Sequence, residues 1–215
     1  MGLTTEQLAA GLEALAVIDP RVAEALSRVG LPEARHRPRG YNALLRTLIA
    51  QQISVHAARS IYAKLEATLG DLDSPAAVLT ADDETLRGCG LSRPKISYAR
   101  SLAEAVASGR LDFEALRSMD DEAAIAVLSS VRGFGRWSAE IYLLFAEGRT
   151  DIWPADDLAL QEAVKRLMAL EERPKAKATR LLAENWRPHR GAMAIFGWHY
   201  YAATSKAQDD KAPIG

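Results

Sequence analysis

Apolar residues recur at three- and four-residue spacing along most of this chain. Leu44, Leu45, Leu48 and Ile49 make one such stripe, and Ile61, Leu65 and Leu69 make another that stops at Gly70. That period belongs to an amphipathic helix. Thr4 or Thr5 can cap a first helix, while Pro20 opens a second that Gly30 ends. Further helices are predicted near 75–80, 82–88, 94–108, 121–130, 136–147, 156–170, 175–184 and 189–204. In the 94–108 segment Tyr98, Leu102, Ala105 and Val106 fall in phase. The run LPEARHRPRG at 31–40 reads as a Pro- and Arg-rich connection, and the tail from residue 204 onward as a mobile end. No stretch alternates like a strand and no repeat is visible. The predicted class is all-α.

Composition narrows this picture. At 215 residues, 48% hydrophobic and 26% charged, the chain suits one domain or two closely packed halves. Its net charge is −1 and its calculated pI about 6.4, whereas nucleic-acid-binding domains often carry an excess of Lys and Arg. Any such contact must come from a local patch or from backbone amides. The single cysteine, Cys89, excludes an internal disulfide and a four-cysteine zinc site or iron–sulfur cluster built by this chain alone. In the run GCGL it reads as a small buried side chain. His36, His56, His189 and His199 show no metal-ligand spacing. With no signal peptide, no myristoylation pattern and no window of 18 apolar residues, the expected location is the bacterial cytosol or nucleoid, away from membranes.

Chemistry concentrates in VRGFGRWSAEIYLLFAEGRTDIWPADDLALQ, residues 131–161. A helix with Ile125 and Leu128 on one face breaks at RGFG, where Gly133 and Gly135 permit backbone angles strained for other residues. A second helix follows at once, with Trp137, Ile141, Leu144 and Phe145 on one stripe. A tight turn leading into a helix leaves N–H groups unpaired at the positive end of a helix dipole, which is an anion site. A DNA phosphate would fit it, with Arg132 and Arg136 adding charge-assisted contacts. The same spacing also suits a plain helix corner closed by glycines. Farther on, Asp156 and Asp157 open a helix. Asp156 suits the capping role, whereas Asp157 falls near the middle of the stripe formed by Leu160, Val164, Leu167 and Met168. A carboxylate turned toward an apolar face is costly unless something uses it, so Asp157 is the catalytic candidate. The basic run ERPKAKATR at 172–180 reads as a solvated face, and His189 with Arg190 at a helix start as contacts to a DNA backbone.

These residues resemble the helix-hairpin-helix DNA glycosylase superfamily, and the order VRGFGRWSA…DIWPADDLAL is most similar to its 3-methyladenine DNA glycosylase II branch. RTLIAQQIS (46–54), GLSRPKISYARSLA (90–103) and ENWRPHRGAMAIFGWHYY (184–201) agree, so the similarity runs from about residue 40 to 202. The resemblance implies one glycosylase module over residues 1–203, built as two helical subdomains with the cleft between them. The terminal helices would form one lobe and roughly 70–165 the other. It also implies a function, the release of alkylated purines flipped out of double-stranded DNA, carried out by a monomer. Asp157 matches the catalytic aspartate. Trp137 stands where strand-nicking members carry a nucleophilic lysine, which implies a monofunctional enzyme that leaves an abasic site. Trp198 matches an aromatic of the base pocket, to which Ile141 and Tyr142 would also belong. Ile141 departs from the aromatic often found one turn after Trp137. Gln52 falls at the wedge that fills the gap left by the flipped base, and is polar where certain relatives are apolar. Gly133 and Gly135 match the phosphate hairpin, where carbonyls of Ser129, Val131 and Phe134 would hold a monovalent cation, sodium or potassium. No cofactor is required by this scheme.

An alkylated purine is cationic, so aromatic rings such as Trp137, Trp198, Tyr142 and Phe196 can discriminate it by stacking and cation–π attraction. Two rivals stand beside this reading: a hairpin protein that binds DNA without chemistry, and a helical protein-interaction domain.

Overall fold

The computed structural model describes residues 2–209, leaving out the side chains of Val55 and of 206–209. Its α-helices run in order α1 (Thr5–Ile18), α2 (Pro20–Val29), α3 (Tyr41–Ala50), α4 (Val55–Leu69), α5 (Ala76–Thr80), α6 (Asp83–Gly88) and α7 (Arg93–Ala107). They continue as α8 (Phe113–Ser118), α9 (Asp121–Ser129), α10 (Arg136–Phe145), α11 (Leu158–Leu167), α12 (Ala176–Leu182) and α13 (Arg190–Asp209), with a 3-10 turn at Ala183–Trp186. No strand occurs among the described residues, and none of these helices is long and apolar enough to cross a membrane.

Short polar side chains set the helix starts. Thr4 caps α1 in a reciprocal box with Gln7, and Asp82, Asp112 and Asp120 accept the first free N–H groups of α6, α8 and α9. The sequence pattern missed α8, whose six residues bury one leucine, Leu116, and are too few to show a period. At the other end α13 continues to Asp209, past the residue-204 end expected for it. Arg166 Nη1 donates to Thr204 Oγ1 at 2.8 Å and Ser205 Oγ at 3.1 Å, tying this part of α13 to α11. Residues 210–215 of the expected mobile tail lie outside the described residues.

The chain divides into two units. One combines the described parts of Met1–His36 and Leu143–Gly215, and in it α13 packs against α1, α2 and α11 around Leu8, Leu12, Leu160 and Phe196. Phe196 is therefore core rather than a pocket aromatic. The other unit is Arg37–Tyr142, in which α7 takes α3, α5 and α6 against it and Leu45, Leu102 and Leu128 are buried. This corrects the expected span of about 70–165. Helix α3 belongs with α7, and α11 belongs with α13, so both boundaries move toward the N-terminus. Cys89 is buried, as its sequence context suggests.

In the first unit a buried polar knot joins the start of the chain to its end. Asp19 caps α2 and accepts from Arg21, and its Oδ2 also accepts Trp186 Nε1–H at 3.1 Å. The Trp186 side chain is 0% exposed. Burial alone would raise the Asp19 carboxyl, but the hydrogen bonds from Arg21 and Trp186 outweigh it and hold it below its ordinary value. Replacing Asp19 by Ala removes a cap and orphans a buried indole N–H, and we expect a loss of roughly 2 kcal/mol or more in urea unfolding. Because the folded carboxyl titrates low, its contribution is present at neutral pH and lost as pH falls through that lowered value. The acid limb of the stability curve should accordingly be shallower in Asp19→Ala than in wild type.

Candidate functional site

In the first unit the candidate acid is placed by two helices. Asp157 takes an extended conformation, φ −74° and ψ 119°, as the cap of α11. Its Oδ1 accepts the N–H groups of Ala159 and Leu160, both at 3.0 Å, and Trp198 Nε1–H from α13 at 3.1 Å. The positive end of the α11 dipole thus faces the carboxylate. Capping falls to Asp157 and not to Asp156, which is exposed and lies 3.7 Å from Arg180. The apolar stripe behind it is as read from the sequence: Leu160, Val164 and Leu167 are buried. Asp157 itself is half-buried. Gln161 Nε2 donates to Ala155 O at 2.9 Å and fixes the preceding loop, while Ile152 and Trp153 are buried. The Trp198 ring lies 5.6 Å from that of Phe145, inclined by 34°. An acid held at one oxygen by three donors, beside an aromatic face, can stabilise a cation brought to it.

In the second unit two turns meet. The hairpin after α9 closes when Phe134 N–H donates to Val131 O at 3.0 Å, and Arg132 N–H donates to Ser101 Oγ at 3.1 Å. Gly133 has φ +89°, and a Cβ there would sit 2.5 Å from Tyr98 Cγ. Only glycine fits, by angle and by space. Gly135 shows neither demand, which corrects the expectation that both glycines relieve strain. The N–H groups of Gly133, Gly135 and Ser138 have no acceptor among the described residues. The second turn follows α3, where Gln52 is exposed and has φ +56°, an uncommon conformation for a non-glycine residue. Beside it opens a cleft of about 590 Å³ lined by Arg37, Arg46, Gln51, Gln52 and Trp137. Trp137 is 44% exposed, so it leaves the buried stripe that its spacing suggested. The Arg46 guanidinium lies over the Tyr62 ring, 3.5 Å from its centre.

Several expected site residues are placed otherwise. Ile141 and Tyr142 are buried, and the Tyr142 hydroxyl accepts Gly40 N–H at 2.9 Å with its ring 6.4 Å from Phe113. Tyr142 therefore packs the second unit rather than lining a base pocket. Arg136 is held by Glu122 on α9 and by Glu140 one turn along α10 at 2.9 Å, so it clamps the hairpin helices instead of awaiting a phosphate. These carboxylates raise the guanidinium's pKa further, Glu122 above all. Arg190 is 8% exposed, fixed by Asp151 at 2.8 Å and Glu184 at 2.8 Å, which rules out the expected contact to a DNA backbone. His189 is half-buried, its backbone N–H bound to Trp186 O. Arg132 alone of the expected arginines is exposed on the hairpin.

Sequence reasoning missed Gln51, Lys95 and Tyr98. Gln51 Nε2 donates to Gly133 O at 3.0 Å, and Lys95 Nζ donates to Ile49 O at 2.6 Å, with burial lowering the ammonium's pKa. Their partners lie 82 and 46 residues away, and no local pattern announces them.

The two hairpin arginines should behave oppositely in urea titrations. Arg136→Ala removes the ion pair that Arg136 makes with the buried Glu140, 1% exposed, and a loss of about 3 kcal/mol is expected. Arg132→Ala should stay within about 0.5 kcal/mol of wild type.

Comparison with known proteins agrees with this architecture. DNA-3-methyladenine glycosylase 1 of Schizosaccharomyces pombe is 32% identical over 177 residues, covering 81% of this chain and 76% of that protein. A crystal structure of DNA-3-methyladenine glycosidase from Bacillus halodurans superposes with a TM-score of 0.85 at 28% identity, covering 91% of each chain. The Schizosaccharomyces pombe 3-methyladenine DNA glycosylase in complex with abasic DNA gives a TM-score of 0.74 at 27% identity, covering 91% of this chain and 97% of that one. Residues 45–188 match the family described as HhH-GPD superfamily base excision DNA repair protein, and this chain belongs to that family.

Proposed function

We propose that this chain is a monofunctional DNA glycosylase: it flips an alkylated purine out of duplex DNA and hydrolyses its bond to the sugar, leaving an abasic site. It acts as a monomer in the cytosol or nucleoid. The observation that carries the reading is the Asp157 carboxylate, half-buried and oriented by Trp198 and the α11 amides. A protein that only binds DNA has no use for a fixed negative charge beside the strand, and membership of a base excision repair family speaks against a protein-interaction domain.

Extrusion of the base costs a few kcal/mol and is least demanding at a damaged pair. Gln52 fills the vacated space, and the amides of Gly133, Gly135 and Ser138, with Arg132, hold a flanking phosphate. Trp198, beside Asp157, offers an aromatic face to the cationic base. As the glycosidic bond lengthens, positive charge develops on the sugar. A carboxylate about 4 Å away lowers its energy by roughly 4 kcal/mol at an effective dielectric of about 20, or about a thousandfold in rate. Asp157 also orients the attacking water. Trp137 supplies no amine for strand cleavage. The hairpin carbonyls of Ser129, Val131 and Phe134 would hold a sodium or potassium ion, whose charge would favour the phosphate. The buried Ser129 hydroxyl, with no hydrogen-bond partner among the described residues, fits such a donor set.

Base release from methylated duplex DNA tests the assignment. Asn at position 157 keeps an oxygen for Trp198 and still caps a helix well, so Asp157→Asn removes charge with little change of shape. Release should fall about a thousandfold while DNA affinity is retained. Equal release by both proteins would overturn the role of Asp157, and strand nicking by purified wild type would overturn the monofunctional assignment.

A further inference from the structure

Two of the left-handed residues of the second unit, Gln52 and Gly133, are not independent. Helix α7 presents Lys95, Tyr98 and Ser101 at three-residue spacing, on one face. Lys95 Nζ donates to Ile49 O at 2.6 Å, at the C-terminal end of α3 where carbonyls lack helical partners and the dipole is negative. Tyr98 packs so closely on Gly133 that no side chain fits there, and Ser101 Oγ accepts Arg132 N–H at 3.1 Å. Gln51 closes the circuit by donating to Gly133 O at 3.0 Å. A non-glycine residue stays in a left-handed conformation only where its surroundings over-determine it. Here the residues leading into Gln52 are held twice, Ile49 through its carbonyl by Lys95 and Gln51 by its bond to the hairpin.

We infer that Gln51 and Lys95 are positioning residues that set the Gln52 turn in register with the hairpin, so that grip on a phosphate is transmitted to the residue entering the base stack. The inference rests on the reading of Gln52 as wedge and of the hairpin as phosphate site. Neither Gln51 nor Lys95 takes part in bond breaking. Both matter when a paired base must be displaced, and little when the base is already unpaired.

The test uses the full chain and two duplexes containing 7-methylguanine, opposite cytosine in one and opposite an abasic analogue in the other. Gln51→Ala and Lys95→Met should each slow release from the paired duplex about tenfold, the scale of one lost hydrogen bond to a turn. Release opposite the abasic analogue should stay within about twofold, since little unpairing is needed there. Lys95→Arg, which keeps the donor, should restore the paired rate. Gln51→Glu, with the same shape but no donor, serves where Gln51→Ala unfolds. An independent readout is 2-aminopurine paired opposite thymine: its fluorescence change at saturating protein should shrink in both variants. Equal slowing on both duplexes, or none on either, overturns the inference. Fluorescence change without base release in wild type would sink the glycosylase reading and leave this one standing, whereas release without fluorescence change would do the reverse.

Discussion

The Asp157 Oδ1 atom accepts three hydrogen bonds at once, two from amides of α11 and one from the Trp198 indole. Everything proposed for the first unit depends on that convergence. A capping aspartate alone would be an ordinary helix start, and a partly exposed tryptophan alone an ordinary surface ring. Together they fix a negative charge in direction and set an aromatic face beside it. The packing of α11 on α13, and the pinning of the loop before α11 by Gln161, hold this arrangement in place. A charge fixed before the reaction needs little reorganisation as positive charge develops.

A chain of net charge −1 has no general attraction for DNA, and two of the arginines expected to meet it are already engaged by carboxylates. Arg136 clamps α9 to α10, and Arg190 ties Asp151 to Glu184. Such pairs serve the fold. In the proposed function anion recognition falls to backbone N–H groups at the hairpin, which carry no formal charge and need only the correct turn. The turn is correct because Gly133 accepts both a left-handed angle and the contact with Tyr98. The exposed Gln52 turn is bound to the same glycine through Gln51, so the second unit presents these two turns as one braced element.

The helical class, the starts of α1 and α2 and the apolar stripe of α11 were all legible in the sequence. Each is written in local spacing and capping chemistry, which the chain carries without help from distant residues. Asp157 stood out because its phase put a carboxylate near an apolar stripe. The same local reading went astray at Arg136, Arg190 and Tyr142. Whether an arginine meets a phosphate or a carboxylate depends on which carboxylates the fold delivers, and Glu122 and Asp151 lie 14 and 39 residues away. Tyr142 is buried and departs from the pocket role that the resemblance implies, because an aromatic's solvent exposure cannot be read from its position in the chain. The unit boundaries and the roles of Gln51 and Lys95 were likewise invisible, since partners 82 and 46 residues apart leave no mark on spacing. Local spacing and capping chemistry are enough to place every helix but the short α8, because helices close their hydrogen bonds within a few residues. Tertiary structure alone decided which charges are consumed by the fold and which face outward, because ion pairing and burial are set by residues that meet only after the chain has packed.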